Sequence, residues 1–274
     1  MMAACQHPAD LGDLSSEAGG NVVLSFTAEG DTRASCRDCF SKLNVQLFDA
    51  TGQKVFDKIK TQTSSDDENF GLMSLPLEPG GYTVVAVGHS SAVSATISSP
   101  TEVRFTAKDG QKLTDTFCVT STIDVGEDPE HFDLTLLRAT AMFRLVLTDD
   151  IVPPEAVKIK FEYSGGSANV NPTTLEGITH SSQTEVRQAV SPPVYEVYTF
   201  PYQSTAGTLK VTVSALDAAG NVLRQRTFDK INVARNHITT YTGHFFDDGG
   251  GTLTQPSLGF IVESDWSGED MFDF

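Results

Sequence analysis

Val157-Lys158-Ile159-Lys160-Phe161-Glu162 sets apolar and charged side chains in strict alternation. A β-strand turns successive side chains to opposite faces. This stretch therefore buries Val157, Ile159 and Phe161 and leaves Lys158, Lys160 and Glu162 in solvent. The same period recurs on either side of it. Val22, Leu24 and Phe26 point one way, with Ser25 and Thr27 opposite. Leu43, Val45 and Leu47 repeat the pattern, as do Phe132, Leu134 and Leu136, and then Leu209, Val211, Val213 and Ala215. No segment shows a comparable helical period. Pro153-Pro154-Glu155 can start one short turn and little more.

Turn signals separate these segments at short intervals: Asp49-Ala50-Thr51-Gly52, Pro79-Gly80-Gly81, Lys108-Asp109-Gly110, Gly165-Gly166 and Asp217-Ala218-Ala219-Gly220. Short strands with such punctuation predict an all-β fold of antiparallel β-sandwiches. The first and last of these turns echo each other. Each follows an apolar strand, and in each the Asp can close the turn on the backbone while the Gly supplies positive φ. The spacing predicts residues 1–20 as a tether, 21–138 as one sandwich, 139–247 as a second and 248–274 as a tail. The boundary falls at Leu137-Arg138-Ala139, where two strands meet with little turn chemistry between them. The tail opens on the Asp247-Asp248-Gly249-Gly250-Gly251 hinge. Leu258, Phe260 and Val262 alternate beyond it, followed by Trp266 and an acidic, apolar end.

The 274 residues carry 19 Lys and Arg against 36 Asp and Glu, a formal charge of −17. Nucleic-acid binding needs a basic face, and so does a hold on anionic lipid through charge. Both are excluded as the chain's main role. A hydrophobic fraction of 39% supports a packed core over disorder. No apolar run reaches the ~18 residues of a membrane-spanning helix.

The cysteines are Cys5, Cys36, Cys39 and Cys118. Ala3-Ala4-Cys5 reads as the tail of a lipobox, whose thiol takes a diacylglyceryl group. Four residues precede it, so the signal peptide this reading requires would lie upstream. The other reading is an ordinary cysteine. Cys36-Arg37-Asp38-Cys39 lacks the second ligand pair of a zinc ribbon and the βαβ setting of a thioredoxin site. It reads as structural, a candidate disulfide in which Cys118 can take part.

No catalytic constellation is present. The six histidines, His7, His89, His131, His180, His237 and His244, form no metal-binding pair. There is no nucleophile elbow, phosphate-binding loop or dinucleotide motif. Asp66-Asp67-Glu68 and Asp247-Asp248 lack the ligand spacing of a tight calcium site. No metal, cofactor or small-molecule substrate is expected.

Several segments together resemble the fimbrial subunits of Bacteroidales type V pili, and most of all the FimB-like accessory or anchor subunits of the fimbrillin superfamily. They are Ala3-Ala4-Cys5 with its acidic linker, Val45 to Asp49 with Gly52, Leu77 to Ala86, Leu137 to Ala141, Arg235-Asn236-His237-Ile238-Thr239 with Gly243, and the late strand ending in Asp265-Trp266. The resemblance implies two tandem transthyretin-like β-sandwich domains and a non-enzymatic lipoprotein held at the outer membrane through Cys5. Its partners would be other fimbrial subunits, joined by strand exchange. Leu258, Phe260 and Val262 are then the candidate donor strand, unless they fold back on the second sandwich. Arg33 is the candidate maturation cleavage site, or else an ordinary loop arginine. A surface carbohydrate-binding or adhesin module stays open beside this reading. Trp266 and the six tyrosines can stack on sugars, although no aromatic platform is visible in the sequence.

Overall fold

The computed structural model describes residues 20–29, 36–106, 113–150, 152–190, 192–202, 207–246 and 266–274. Cys5, Arg33, Leu258, Phe260 and Val262, and the turn at Lys108 to Gly110, lie outside them. The described residues form one helical turn, α1 (Cys36–Cys39), and nineteen strands. The first nine are β1 (Val22–Ala28), β2 (Lys42–Asp49), β3 (Lys60–Thr63), β4 (Leu72–Leu75), β5 (Gly80–His89), β6 (Ala95–Ser99), β7 (Glu102–Phe105), β8 (Thr116–Val125) and β9 (Glu130–Arg138). The next nine are β10 (Ala141–Leu147), β11 (Lys158–Ser164), β12 (Asn169–Asn171), β13 (Glu176–Gly177), β14 (Ser182–Gln188), β15 (Val194–Thr199), β16 (Gly207–Leu216), β17 (Val222–Val233) and β18 (His237–Gly243). The chain ends on β19 (Gly268–Asp273). The fold is all-β, as expected, and every alternating segment named above that lies among the described residues forms a strand.

Strands β3-β2-β5-β8-β9-β1-β4 form one sheet that folds over on itself. Its corner is the β8–β9 contact, which pairs only Phe117 with Arg138 and Cys118 with Leu137. Val22, Leu24 and Phe26 from one limb meet Leu43, Val45, Leu47, Val84 and Ala86 from the other in a closed core. The second half is a sandwich of two four-stranded sheets, β15-β10-β18-β19 and β14-β11-β16-β17. Phe143 and Leu145 face Ile159, Phe161, Val211 and Val213 across its core.

Two features depart from a plain pair of antiparallel sandwiches. First, three strand pairs are parallel. β1 runs parallel to β9, β10 to β18 and β18 to β19. The opening strand β1 thus lies beside β9, which ends at Arg138, and β10, which follows, lies beside β18. Second, β6 and β7 share a small sheet with β12 and β13, which come from later in the chain. Ala95, Ile97, Val103, Phe105 and Val170 of that sheet, with Leu175 beside β13, pack on Phe48, Val85, Val87 and Cys118. β5 is therefore apolar on both faces, with Val84 and Ala86 turned to one core and Val85 and Val87 to the other.

The two Asp-x-x-Gly turns have the same geometry. Asp49 Oδ1 accepts from the backbone N–H of Gln53 at 2.9 Å, and Asp217 Oδ1 from that of Asn221 at 2.8 Å. Gly52 and Gly220 take φ of 81° and 90°. A Cβ at either would meet no neighbour, so the positive φ alone requires glycine there.

The expected disulfide is absent. Cys36, Cys39 and Cys118 are all thiols. Cys36 and Cys39 sit one helical turn apart in α1, and the Cys36 Sγ–H donates to the Phe26 carbonyl at 2.8 Å. Cys36 belongs to the first core and Cys118 to the core on the other side of the sheet. The sheet itself separates Cys118 from the CxxC, so they cannot pair.

Candidate functional site

The segment with the most unusual setting is the end of the chain. β19 lies parallel to β18 at the sheet edge, with His237 opposite Gly268 and Thr242 opposite Asp273. Parallel neighbours need a crossover connection, because the chain must return to its starting end. The chain between β18 and β19 includes the expected donor strand, which lies outside the described residues.

The Arg235-Asn236-His237 motif builds one end of the seat for this strand. Asn236 takes φ of 57°, a left-handed conformation that Asn tolerates better than most residues. Its backbone N–H donates to the Thr140 carbonyl at 2.8 Å, and its own carbonyl accepts from the Ser267 N–H at 2.9 Å. The Ser267 hydroxyl donates to the same carbonyl. His237 Nε2 faces the Asp270 carboxylate at 3.2 Å. Three residues further along, Thr240 donates to Glu269, a carboxylate that is 7% exposed.

Gly243 builds the other end. A Cβ there would come within 2.0 Å of the Phe274 carbonyl oxygen, so only glycine admits the terminal residue. The Phe274 N–H donates to Thr242 at 3.0 Å. Phe272 stacks on Tyr241 at 4.8 Å, and Phe274 meets Phe228 edge-on at 4.9 Å. Phe228 belongs to the opposite sheet, so the last residues close the open side between β18 and β17. Each such aromatic pair contributes about 1 kcal/mol beyond the area it buries.

Trp266 fastens the segment to the junction between the two halves. It packs with Met142 and Ile238, and its ring lies 4.1 Å from the Arg138 guanidinium. The opposite neighbour of that guanidinium is the Phe117 ring, at 4.8 Å. Arg138 is 5% exposed. Its Nε–H lies 2.9 Å and 3.1 Å from the two Asp115 oxygens, and Nη1 donates to Asn236 Oδ1 at 2.9 Å. The Thr140 hydroxyl donates to Asp115 at 2.8 Å. Arg235 donates to the Arg138 carbonyl at 2.8 Å. One buried cation thus gathers groups from β8, β9, the start of β18 and the C-terminal segment.

The sequence reading singled out the motif and Trp266 but took 269–274 for an acidic end. The signal was thin, because Glu269, Asp270 and Asp273 interrupt the apolar pattern. Among the described residues, no group of three or more His, Cys, Asp and Glu is placed to hold a metal ion. No helix among them is long and apolar enough to cross a membrane.

A family model matches residues 96–271 and is described as a family of unknown function, DUF6562. No curated protein matches the sequence. Among solved structures, a candidate adhesin from Bacteroides ovatus superposes with a TM-score of 0.50 at 14% identity, covering 76% of this chain and 74% of that one. A candidate polysaccharide-binding protein from Bacteroides thetaiotaomicron gives 0.49 at 11% identity, over 74% and 78% of the two chains. The fimbrial anchor protein Mfa2 from Porphyromonas gingivalis gives 0.43 at 13% identity, over 75% and 80%. The first of these likenesses supports a shared β-sandwich fold; the other two are weaker.

Proposed function

The chain belongs to the DUF6562 family, and from the geometry of its C-terminal strand we propose that it is a non-enzymatic structural subunit of a cell-surface pilus. In this reading it is an anchor or accessory subunit of the FimB-like kind. Residues 21–138 and 139–247 are its two sandwich units, Cys5 carries the lipid that holds it at the outer membrane, and other fimbrial subunits are its partners.

The observation that carries the reading is β19. This edge strand is held by its own hydrogen bonds, the polar contacts of Glu269 and Asp270, a few aromatic contacts and Trp266. Such a strand can leave its seat without unfolding the sandwich beneath it. The row of backbone groups it covers on β18 is a template for a strand of the same kind from a neighbour. Tail residues 248–274, with the Leu258, Phe260 and Val262 segment inside them, are then the element of exchange. The candidate adhesin from Bacteroides ovatus that shares the fold agrees with a surface role, as does the sequence resemblance to pilus subunits.

The test is assembly. Deleting 248–274 from the full-length gene, with its upstream codons, is expected to leave a folded, exported protein that no longer joins its neighbours. Pili of unchanged number and length would overturn the exchange role. Palmitate labelling that persists in a Cys5→Ser variant would overturn the lipid site. A surface adhesin is the second reading, favoured by the groove described next.

A further inference from the structure

The outer face of β11, flanked by β14 and β16, carries a regular polar lattice. Ser164 lies opposite Ser182 on one side and Lys210 on the other, and Glu162 lies between Thr184 and Thr212. Side chains two apart on a strand share a face, so these six residues form two rows across three strands. They surround an open depression of about 430 Å³, within the size range of small-ligand sites. An aromatic pair lies beyond the Ser182 row. His180 and Tyr202 stack at 3.9 Å with their planes 26° apart, and both residues are exposed. His180 Nδ1–H donates to the Gly165 carbonyl at 3.1 Å, which ties the ring to the end of β11. Twenty-two positions separate the two rings in the chain.

We propose that this lattice and its aromatic pair form a binding site for a neutral oligosaccharide. The chemistry selects that class. Four hydroxyls line it, that of Thr212 sharing a hydrogen bond with Thr227 at 3.0 Å, while the Glu162 carboxylate, held by Lys160 at 2.8 Å, and the Lys210 ammonium add an acceptor and donors. Strand spacing sets neighbouring columns about 4.8 Å apart, so the rows present polar groups at regular intervals. The exposed Tyr202 ring offers an apolar face to the C–H side of a sugar. An anionic polymer is disfavoured by the chain's charge of −17. An apolar partner finds no apolar side chain among the six. The site lies on the β14-β11-β16-β17 sheet, away from the β18–β19 seat, so it does not depend on the assembly role.

The experiment is saturation-transfer NMR on the full chain with cellotetraose and maltotetraose, each at about 10 mM to reach weak binders. Tetragalacturonate serves as the acidic comparison. At least one neutral tetrasaccharide is expected to receive saturation. Tyr202→Ala and Glu162→Gln are each expected to weaken it about tenfold with unchanged melting, since both side chains are at the surface. No transfer to either neutral sugar overturns the proposal. So does equal transfer in Tyr202→Ala, or tighter binding of tetragalacturonate.

Discussion

Arg138 presents its guanidinium face to the Trp266 ring at 4.1 Å, and this contact joins the end of the first sheet to the end of the chain. The same cation is bonded to Asp115 and to Asn236. Trp266 therefore packs on a guanidinium that groups outside the C-terminal segment also hold.

Truncating the two partners should give different losses. Trp266→Ala is expected to cost roughly 3 kcal/mol of stability and to speed amide exchange selectively in 268–273. Arg138→Ala leaves the Asp115 carboxylate without its cation and should cost more, roughly 3–5 kcal/mol, spread over both halves. Arg138→Lys should not rescue it, because an ammonium can neither fork Asp115 nor lie flat between two rings. Urea unfolding with hydrogen-exchange mass spectrometry reads both effects. Equal exchange in Trp266→Ala and the parent would refute the latch.

Gly243→Ala should loosen the chain end without unfolding the sandwich. The added methyl collides with the Phe274 carbonyl, and the terminal residues can move where β18 cannot. Loss of protection confined to the final residues is the expected result. Gly220→Ala should instead cost about 1 kcal/mol through its positive φ alone, with no effect on the tail.

His89 gives the protein an acid-side weakness. It is fully buried, and its Nε2–H donates to Asn44 at 2.8 Å while Nδ1 accepts from the Ser91 N–H at 3.2 Å. Burial, with Lys42 nearby, lowers it to about 4 from an ordinary 6.5. Between these values the unfolded chain binds a proton that the folded chain refuses. Its contribution is whole above the window and is lost as pH falls through it, by roughly 3 kcal/mol. The His89 ring signals should stay those of neutral imidazole down to about pH 5. A midpoint near that of a free histidine would contradict the assignment.

Thiol chemistry should sort the cysteines by burial. Desolvation raises Cys36 to about 11 and pushes Cys118 higher still. A disulfide-exchange reagent at neutral pH should modify the half-buried Cys39 first. Cys36 and Cys118 should react only on unfolding. Prompt modification of Cys118 in the native protein would show that its core opens readily.

Half-buried strands were legible because period-two alternation survives wherever one face meets water. Val157 to Glu162 and Leu209 to Ala215 are such cases. β5 escaped that logic, since both its faces meet a core and Val84 to Val87 run on without a polar break. Parallel pairing left no trace in the sequence, because a strand alternates identically whichever way its neighbour runs. The contact of β7 with β12 depends on residues such as Val103 and Val170 that only folding brings together. The chain-end seat was half visible. Its asparagine, histidine and glycine formed a readable motif, while the strand they receive was hidden by its own carboxylates. The aromatic pair of His180 and Tyr202 arises from two separate loops and had no local signature.

The pairing of β1 with β9 and of β10 with β18 has a mechanical consequence. In a parallel pair, the start of one strand and the end of the other lie at opposite ends of the ladder. Tension applied at residue 20 and residue 138 pulls β1 and β9 past each other along their length. Their hydrogen bonds are loaded together in shear, where a hairpin pulled at its open end would release them one at a time. The β10–β18 pair meets a pull between residues 141 and 243 in the same way. Each half of the chain is thereby wired to resist stretching along the line in which a surface tether is pulled.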